Sequence, residues 1–149
     1  MTTVFASKKL SVMFFAIGLL GFVGASTAYA SQAFSNWKKT GTVNGYSYEN
    51  ESDIDNSNIF AGSIAATTNG AYVPTSYIGV AAHLYEASGA LCTVSGWVYN
   101  SYSWPNWEAQ TTFGTYCGDG NYYSSGFLRA YNGNGYDTYS TYTSPQLYI

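Results

Sequence analysis

Residues 77–99 read YIGVAAHLYEASGALCTVSGWVY, and this stretch decides the fold class. In its first half, apolar residues at every second position alternate with larger or polar ones, which is the period of a half-buried β-strand. Ser88-Gly89 then supplies a turn, and a second run rich in Thr, Val, Trp and Tyr follows. The stretch therefore predicts an antiparallel β-hairpin.

The loop length sets the register of this hairpin and the content of its two faces. A two-residue turn would pair Leu84 with Thr93, whereas a three-residue loop, residues 88–90 with Gly89 in the left-handed conformation, pairs Leu84 with Val94. We predict the three-residue loop, because it separates an aliphatic face from an aromatic one. The predicted dry face holds Ile78, Val80, Ala82, Leu84, Cys92, Val94 and Val98. The opposite face holds Tyr77, His83, Tyr85, Trp97 and Tyr99.

Strand-like runs recur along the rest of the chain. They cover residues 40–48, 59–68, 77–86, 91–99, 109–116, 122–131 and 136–143, with Gly and Asn turns between them. Aromatic and β-branched residues favour strands, and no segment after residue 30 has a convincing helical period. We predict an all-β protein, a small antiparallel β-sandwich of about seven strands.

The first thirty residues have the pattern of a secretory leader. Lys8 and Lys9 precede an uncharged apolar run at residues 10–23, and Ala28-Tyr29-Ala30 offers a small-x-small cleavage site. The run is shorter than the roughly 20 residues that a spanning helix needs. We predict a signal peptide at residues 1–30 and a single bacterial-type domain at residues 31–149, secreted to the extracellular space without an integral membrane segment.

Two cysteines remain in this exported domain, Cys92 and Cys117. An even count in an oxidising compartment predicts a disulfide. Closing a loop of this length contributes roughly 3 kcal/mol in the chain-entropy model. Two free thiols are the alternative.

Charge limits the classes of partner. Without the leader, three basic residues stand against eight carboxylates, a net charge of −5. Nucleic acids and anionic membranes both require clusters of Lys and Arg. We therefore expect no nucleic-acid partner, and a neutral glycan or cell-surface polymer instead.

The aromatic residues on the second face of the predicted hairpin make that face the candidate binding site. Trp104 and Trp107 follow it in a loop that the predicted disulfide tethers, so they can join one rim. Flat rings beside Asn, Ser and Tyr suit sugars, whose C–H faces stack and whose hydroxyls need directional partners. The alternative is that these rings only pack. The candidate ligand-binding residues are Tyr77, His83, Tyr85, Trp97, Tyr99, Trp104 and Trp107.

We assign no catalytic residue. His83 is the only histidine, and no nucleophile elbow, HExxH or phosphate-binding loop accompanies it. Glu86 and Glu108, the carboxylates nearest the rings, are the candidates if the protein is a small glycosidase. We expect no metal or other cofactor, with Ca²⁺ on the acidic segment as the one alternative to a solvated loop there. That segment carries Glu49, Glu51, Asp53 and Asp55.

These features favour a carbohydrate-binding or cell-surface-binding module. Two other classes stay open on the sequence. A secreted antimicrobial or pore-forming toxin would use the alternating stretch at residues 122–143 as an inserting hairpin. An extracellular matrix or adhesive structural protein would use the low charge and the Tyr, Asn, Ser and Gly content for strand pairing between molecules.

Overall fold

The computed structural model describes residues 31–112 and 117–149. The predicted signal peptide at residues 1–30 lies outside these residues. The described residues form eleven strands and no helix, so no helix in this part of the chain is long and apolar enough to cross a membrane. The strands are β1 (Gln32–Phe34), β2 (Lys38–Val43), β3 (Tyr46–Asp55), β4 (Phe60–Thr67), β5 (Ile78–Glu86), β6 (Leu91–Val94), β7 (Val98–Tyr99), β8 (Asn106–Thr112), β9 (Asn121–Tyr131), β10 (Tyr136–Ser140) and β11 (Leu147–Tyr148).

Two antiparallel sheets stack into a sandwich. In sheet one, β1 and β2 both pair with β3, and β4 and β8 follow in order. In sheet two, β10 and β11 both pair with β9, β5 pairs with β9, and β6 and β7 both pair with β5. This arrangement confirms the all-β sandwich. The seven predicted strands correspond to nine of the eleven, since those predicted at residues 40–48 and 91–99 are each interrupted, and β1 and β11 are too short to show a period. Residues 113–116 of the strand predicted at 109–116 lie outside the described residues.

The first interruption is a tight turn at Asn44-Gly45. Both residues have positive φ, 48° and 86°, as the two central positions of a type I′ hairpin turn require. The predicted strand at residues 40–48 is therefore the β2–β3 hairpin, with Val43 paired to Tyr46.

The acidic segment belongs to β3, so its prediction as a solvated loop is wrong. Residues 49–55 pair with β4 along their whole length. Tyr48 and Ile54 on this strand are buried on the inner face, which places the four carboxylates together on the outer face. Packing by the intervening residues outweighs the low strand propensity of Asp, Glu and Asn.

The predicted register of the β5–β6 hairpin is also wrong. Leu84 pairs with Thr93 and His83 with Val94, while Cys92 is the extra residue of a bulge before the Tyr85–Leu91 pair. Val94 consequently lies on the outer face, where it is 45% exposed. Val98, opposite Val80 on an outermost strand, is 38% exposed. Neither valine belongs to the dry face.

The turn itself is close to the prediction. Gly89 has a φ of 89°, and its N–H donates to the Glu86 carbonyl at 2.8 Å. The Glu86 N–H donates to the Ala90 carbonyl at 2.9 Å, so the loop is residues 87–89, one residue earlier than expected. The bulge at Cys92 then shifts the register a second time.

The predicted disulfide between Cys92 and Cys117 is confirmed, with the two Cα atoms 5.8 Å apart. Both half-cystines pack against the smaller of two buried clusters. That cluster contains Ile54, Ala61, Leu84 and Tyr122. The larger cluster contains Val43, Tyr48, Ala65, Val73, Ile78, Val80, Ala109, Leu128 and Ala130.

Between the two clusters the sheets meet through small and polar residues, which we call the waist: Ser52, Ser63, Ser124 and Gly126. The Ser52 hydroxyl is directed at the carbonyls of Tyr142 (2.7 Å) and Ser124 (3.1 Å), and the Ser124 hydroxyl donates to the Gly62 carbonyl at 2.9 Å. A Cβ on Gly126 would collide with the Ser63 side chain and lie 2.8 Å from the Ala81 carbonyl oxygen. The waist thus fixes the separation of the sheets.

Gly126→Ala tests this close contact. We expect the substitution to destabilise the fold by about 1–3 kcal/mol, because an added methyl in a closely packed interior forces backbone shifts. Urea unfolding measures the loss. Gly135→Ala is the matched control, since a Cβ there meets nothing within 4 Å and its φ is ordinary. Equal stability of the two variants would contradict the assigned role of Gly126.

Candidate functional site

The outer face of sheet two carries a long row of aromatic side chains. The β5–β9 register places His83 opposite Ser125, Tyr85 opposite Tyr123, and Gly79 opposite Arg129. Directly paired residues project to the same face of a sheet. We call the resulting set the aromatic band. Its members are Tyr77, His83, Tyr85, Trp97, Tyr99, Tyr123, Phe127, Arg129, Tyr131 and Tyr136.

At one end of the band, rings lie against one another across β5 and β9. Tyr85 stacks on Tyr123 with centroids 5.3 Å apart and planes 11° apart. His83 contacts Phe127 edge-on at 5.0 Å, and its Nδ1 shares a hydrogen bond with the Tyr85 hydroxyl at 3.2 Å. Burial lowers the pKa of His83, which keeps this end uncharged at neutral pH.

Arg129 forms the centre of the band. Its guanidinium carbon lies 4.0 Å from the centroid of the Trp97 ring, a cation–π contact. Its Nη1 donates to the Tyr99 hydroxyl at 3.0 Å. The Tyr99 ring in turn lies directly on Gly79, where a Cβ would be 2.5 Å from the ring. The absence of a side chain at Gly79 therefore lets Tyr99 lie flat on the sheet.

The other end of the band opens into a pocket of about 280 Å³. The ring centroids of Tyr77 and Tyr131 lie 4.9 Å apart, and the ring centroid of Tyr136 lies 5.6 Å from that of Tyr131. The Tyr136 hydroxyl donates to the Ser76 carbonyl at 2.8 Å, which ties the pocket wall to the loop before β5. Burial raises the pKa of Tyr136, with smaller contributions from Tyr99 and Tyr131, so this phenol stays a donor at neutral pH.

Strand geometry gives the length of the band. From Tyr77 to Tyr85 the chain advances eight residues, roughly 26 Å at about 3.3 Å per residue. A surface of this length matches several units of an extended polymer better than one small molecule.

The structure divides the seven predicted site residues between two places. His83, Tyr85, Trp97 and Tyr99 lie in the band, and Tyr77 lies at its end, where it also packs against the larger core cluster and contacts Tyr46 of β3. Trp104 and Trp107 lie in a second cluster, and Trp107 is on β8 instead of in the predicted loop. The Tyr102 ring centroid lies 5.9 Å from that of Trp104 and 5.1 Å from that of Trp107, and the Tyr72 centroid lies 5.4 Å from that of Trp104.

Trp107 is half-buried against the larger core cluster, while Trp104 is 42% exposed. The loops that carry the second cluster are held by buried Asn100. Its Nδ2 donates to the carbonyls of Pro74 (2.9 Å) and Tyr102 (2.8 Å), and its Oδ1 accepts the Ile78 N–H at 2.9 Å.

Half of the band was missed from the sequence. Tyr123, Phe127, Arg129 and Tyr131 occupy alternate positions of β9, and that alternation was visible. Their placement beside His83 and Tyr85 depends on the pairing of β5 with β9, strands that are distant in sequence. Local patterns contain no information about that pairing.

The carboxylates form a separate face on the outside of sheet one. Glu49, Glu51, Asp53 and Asp55 share this face of β3, and Glu108 joins them from β8 through the register of β4. Alternate residues on a strand are about 6.6 Å apart, too far for all four β3 carboxylates to reach one Ca²⁺ at 2.3–2.6 Å. Within residues 31–112 and 117–149, no group of three or more His, Cys, Asp or Glu side chains is arranged to hold a metal ion.

Burial perturbs two of these carboxylates. Asp53 is 1% exposed, it lies over Gly62, and its Oδ1 has no hydrogen-bond partner. Burial, opposed by a hydrogen bond from Gln32 and reinforced by Glu108, raises the pKa of Asp53 to about 6. Burial and the charges of Asp53 and Glu49 raise the pKa of Glu51 to about 7.

The two candidate glycosidase carboxylates are not brought together. Glu108 belongs to the acidic face of sheet one. Glu86 lies at the end of β5 in sheet two, where it lines a second pocket of about 280 Å³ with Asp119 and Tyr122. The pair therefore does not flank one cleft.

No protein-family model, no curated protein and no solved structure matches this chain.

The acidic face predicts an unusual dependence of stability on pH. The folded-state pKa values of Asp53 and Glu51 lie above their ordinary values of 3.8 and 4.5, so their protonated forms favour folding. That stabilisation is complete below about pH 4 and is lost as pH rises through 6 and 7. Asp55 acts in the opposite sense: hydrogen bonds from Ser57 and Asn58 lower its pKa to about 2, so its contribution is lost below pH 4.

We therefore expect thermal stability to fall between pH 5 and pH 8. Asp53→Asn should flatten this decline and raise the melting temperature at pH 8, because a neutral amide removes the buried charge. Melting curves from pH 4 to pH 8 measure both effects. Asp119→Asn, a change at an exposed carboxylate, is the control. A wild-type melting temperature that increases from pH 5 to pH 8 would contradict the assignment.

Proposed function

We propose that this protein is a secreted binding module that holds a linear glycan of a cell surface or matrix along its aromatic band. The observation that supports the proposal most directly is the row of rings from Tyr85 to Tyr136 on one side of sheet two, which is continued across its centre by the Arg129 side chain between Trp97 and Tyr99. Rings in such a row offer stacking surfaces for the C–H faces of sugars. Tyrosine hydroxyls, Ser125 and Thr138 on the same face supply hydrogen bonds for sugar hydroxyls.

Several features of the band suit a binding surface better than simple packing. In the described chain it faces no further layer of strands, and most of its rings lie on strands, with Tyr77 just before β5 and Trp97 in the connection between β6 and β7. Rigid aromatic anchors lose little conformational entropy when a ligand binds. The pocket at Tyr77, Tyr131 and Tyr136 gives the polymer a concave end point.

The toxin interpretation fits this arrangement less well. Its hairpin, residues 122–143, includes β9, which is paired along both edges in sheet two. Leu128 and Ala130 of β9 are buried in the larger core cluster. Insertion into a membrane would therefore require the core to open. The disulfide agrees with the proposed extracellular location, because such bonds persist in oxidising compartments.

Single ring substitutions test the proposal. The probes are insoluble cellulose, chitin, xylan and peptidoglycan, with binding of residues 31–149 measured by depletion from solution. Tyr85→Ala and Tyr136→Ala remove one ring at each end of the band. Each should weaken binding to the recognised polymer by about 10-fold or more, because loss of a stacking ring at a hot spot costs about 2 kcal/mol.

Trp104→Ala is the matched control, because Trp104 and Tyr136 are similarly exposed, 42% and 38%, and Trp104 lies outside the band. Circular dichroism and melting temperature confirm that each variant is folded. Binding that falls only with Trp104→Ala would assign the ligand to the second cluster. Failure of the wild-type domain to bind any of the four polymers, and any uronate or sulfated glycan as well, would overturn the glycan proposal.

A further inference from the structure

Arg129 is a cation without a counter-ion. Among the described residues it forms no ion pair, and its hydrogen bond is the one from Nη1 to the Tyr99 hydroxyl. Its Nε is buried without a partner, Nη2 forms no hydrogen bond with a described residue, and the residue as a whole is half-buried. Buried charged groups are normally paired, so this guanidinium has unused capacity to bind an anion.

Most carboxylates of the chain lie away from this cation; the exception is Asp137, which is on β10 opposite Ala130 and whose Oδ1 accepts a hydrogen bond from Asn132 Nδ2 at 2.8 Å. Five of the eight, namely Glu49, Glu51, Asp53, Asp55 and Glu108, lie on the outer face of sheet one, on the opposite side of the sandwich. The aromatic band contains no carboxylate, and burial keeps His83 neutral. The band is therefore locally cationic although the domain as a whole is anionic.

A second cation lies at the margin of the same face. The Lys38 ammonium donates to the Ser140 hydroxyl at 3.0 Å and lies 5.3 Å from the centre of the Tyr142 ring. Ser140 is paired with Phe127 of the band, one alternate position from Thr138, which is paired with Arg129. Positive charge thus extends from the centre of the band across β10 to its edge.

We propose that Arg129 binds an anionic substituent of the ligand, so that the glycan recognised by the band is acidic. This inference rests on the proposed function and specifies its ligand. The anion, a carboxylate or a sulfate ester, accepts a hydrogen bond from Nη2 while the sugar ring stacks beside Trp97 and Tyr99. A charge-assisted hydrogen bond to a guanidinium that Trp97 already orients is stronger than one to a neutral donor, and it selects acidic over neutral sugars.

Polymers that differ only in charge test this assignment. For the carboxylate, the probes are oligogalacturonate and the same oligomer with its carboxylates methyl-esterified. For the sulfate, the probes are carrageenan oligosaccharides and the same oligosaccharides after desulfation. Tryptophan fluorescence of residues 31–149 at about 0.15 M ionic strength reports binding, because Trp97 lies against Arg129. The acidic member of one pair should bind at least 10-fold more tightly than its neutral partner.

Three variants connect this preference to Arg129. Arg129→Gln should abolish the preference, whereas Arg129→Lys, which keeps the charge on a different shape, should retain part of it. Lys39→Gln is the matched control, since it removes the same charge from exposed Lys39, which lies outside the band on β2. Circular dichroism establishes that the variants are folded, and the wild-type comparison of acidic and neutral oligomers does not depend on them.

Each outcome decides between the two proposals. Equal binding of acidic and neutral oligomers by the wild-type domain, with Tyr136→Ala weakening both, overturns the anionic site and keeps the glycan proposal. An equal loss of preference in Lys39→Gln and Arg129→Gln shows a general charge effect and also overturns the site. If neither member of either pair binds but one of the four insoluble polymers does, the anionic site is overturned and the glycan proposal is kept; if no polymer of either set binds, both proposals fail.

Discussion

The contact of the two sheets at the waist is the constraint on which the rest of the structure depends. Gly126 and Ser63 meet so closely that a Cβ at Gly126 would collide with the Ser63 side chain, and the hydroxyls of Ser52 and Ser124 bond to carbonyls of the opposite sheet. A dry interface this narrow has room for Ala, Ser and Gly but not for rings. The apolar core is therefore divided into two clusters, and most of the large aromatic residues of β5 and β9 lie on the outside of sheet two.

The aromatic band follows from a single register. Because side chains alternate along a strand, a one-residue slip of β9 against β5 would move Phe127 and Arg129 inward and bring Leu128 out. The waist prevents that slip, since only Gly126 fits opposite Ser63. The waist residues that hold the sheets together thus also determine which side chains of β9 face outward. The proposed binding surface therefore depends on the packing that stabilises the fold.

Local patterns predicted the features that depend on neighbouring residues. The strands, the positive φ of Gly89, the disulfide and the burial of Ile78 to Leu84 at alternate positions all follow from short segments. The Asn44-Gly45 turn was equally local, and attention to that dipeptide would have found the β2–β3 hairpin. The bulge at Cys92 has no signature in the sequence, and because of it Val94 lies on the outer face of the sheet instead of the expected inner face. The pairing of β5 with β9 connects distant segments, so half of the band could not be predicted.

Net charge and the distribution of charge bear differently on the choice of partner. The value of −5 led to the expectation of a neutral partner, yet most of that charge lies on the outer face of sheet one, where burial also makes Asp53 and Glu51 hard to ionise. Two packed sheets lie about 10 Å apart, so the thickness of the sandwich separates these carboxylates from a ligand on the aromatic band, and Coulomb energy falls with distance. A ligand on the aromatic band would therefore lie closer to the charges of Arg129 and Lys38 than to those of the acidic face. For a sandwich with two chemically distinct faces, the charge of each face is the quantity that bears on the partner.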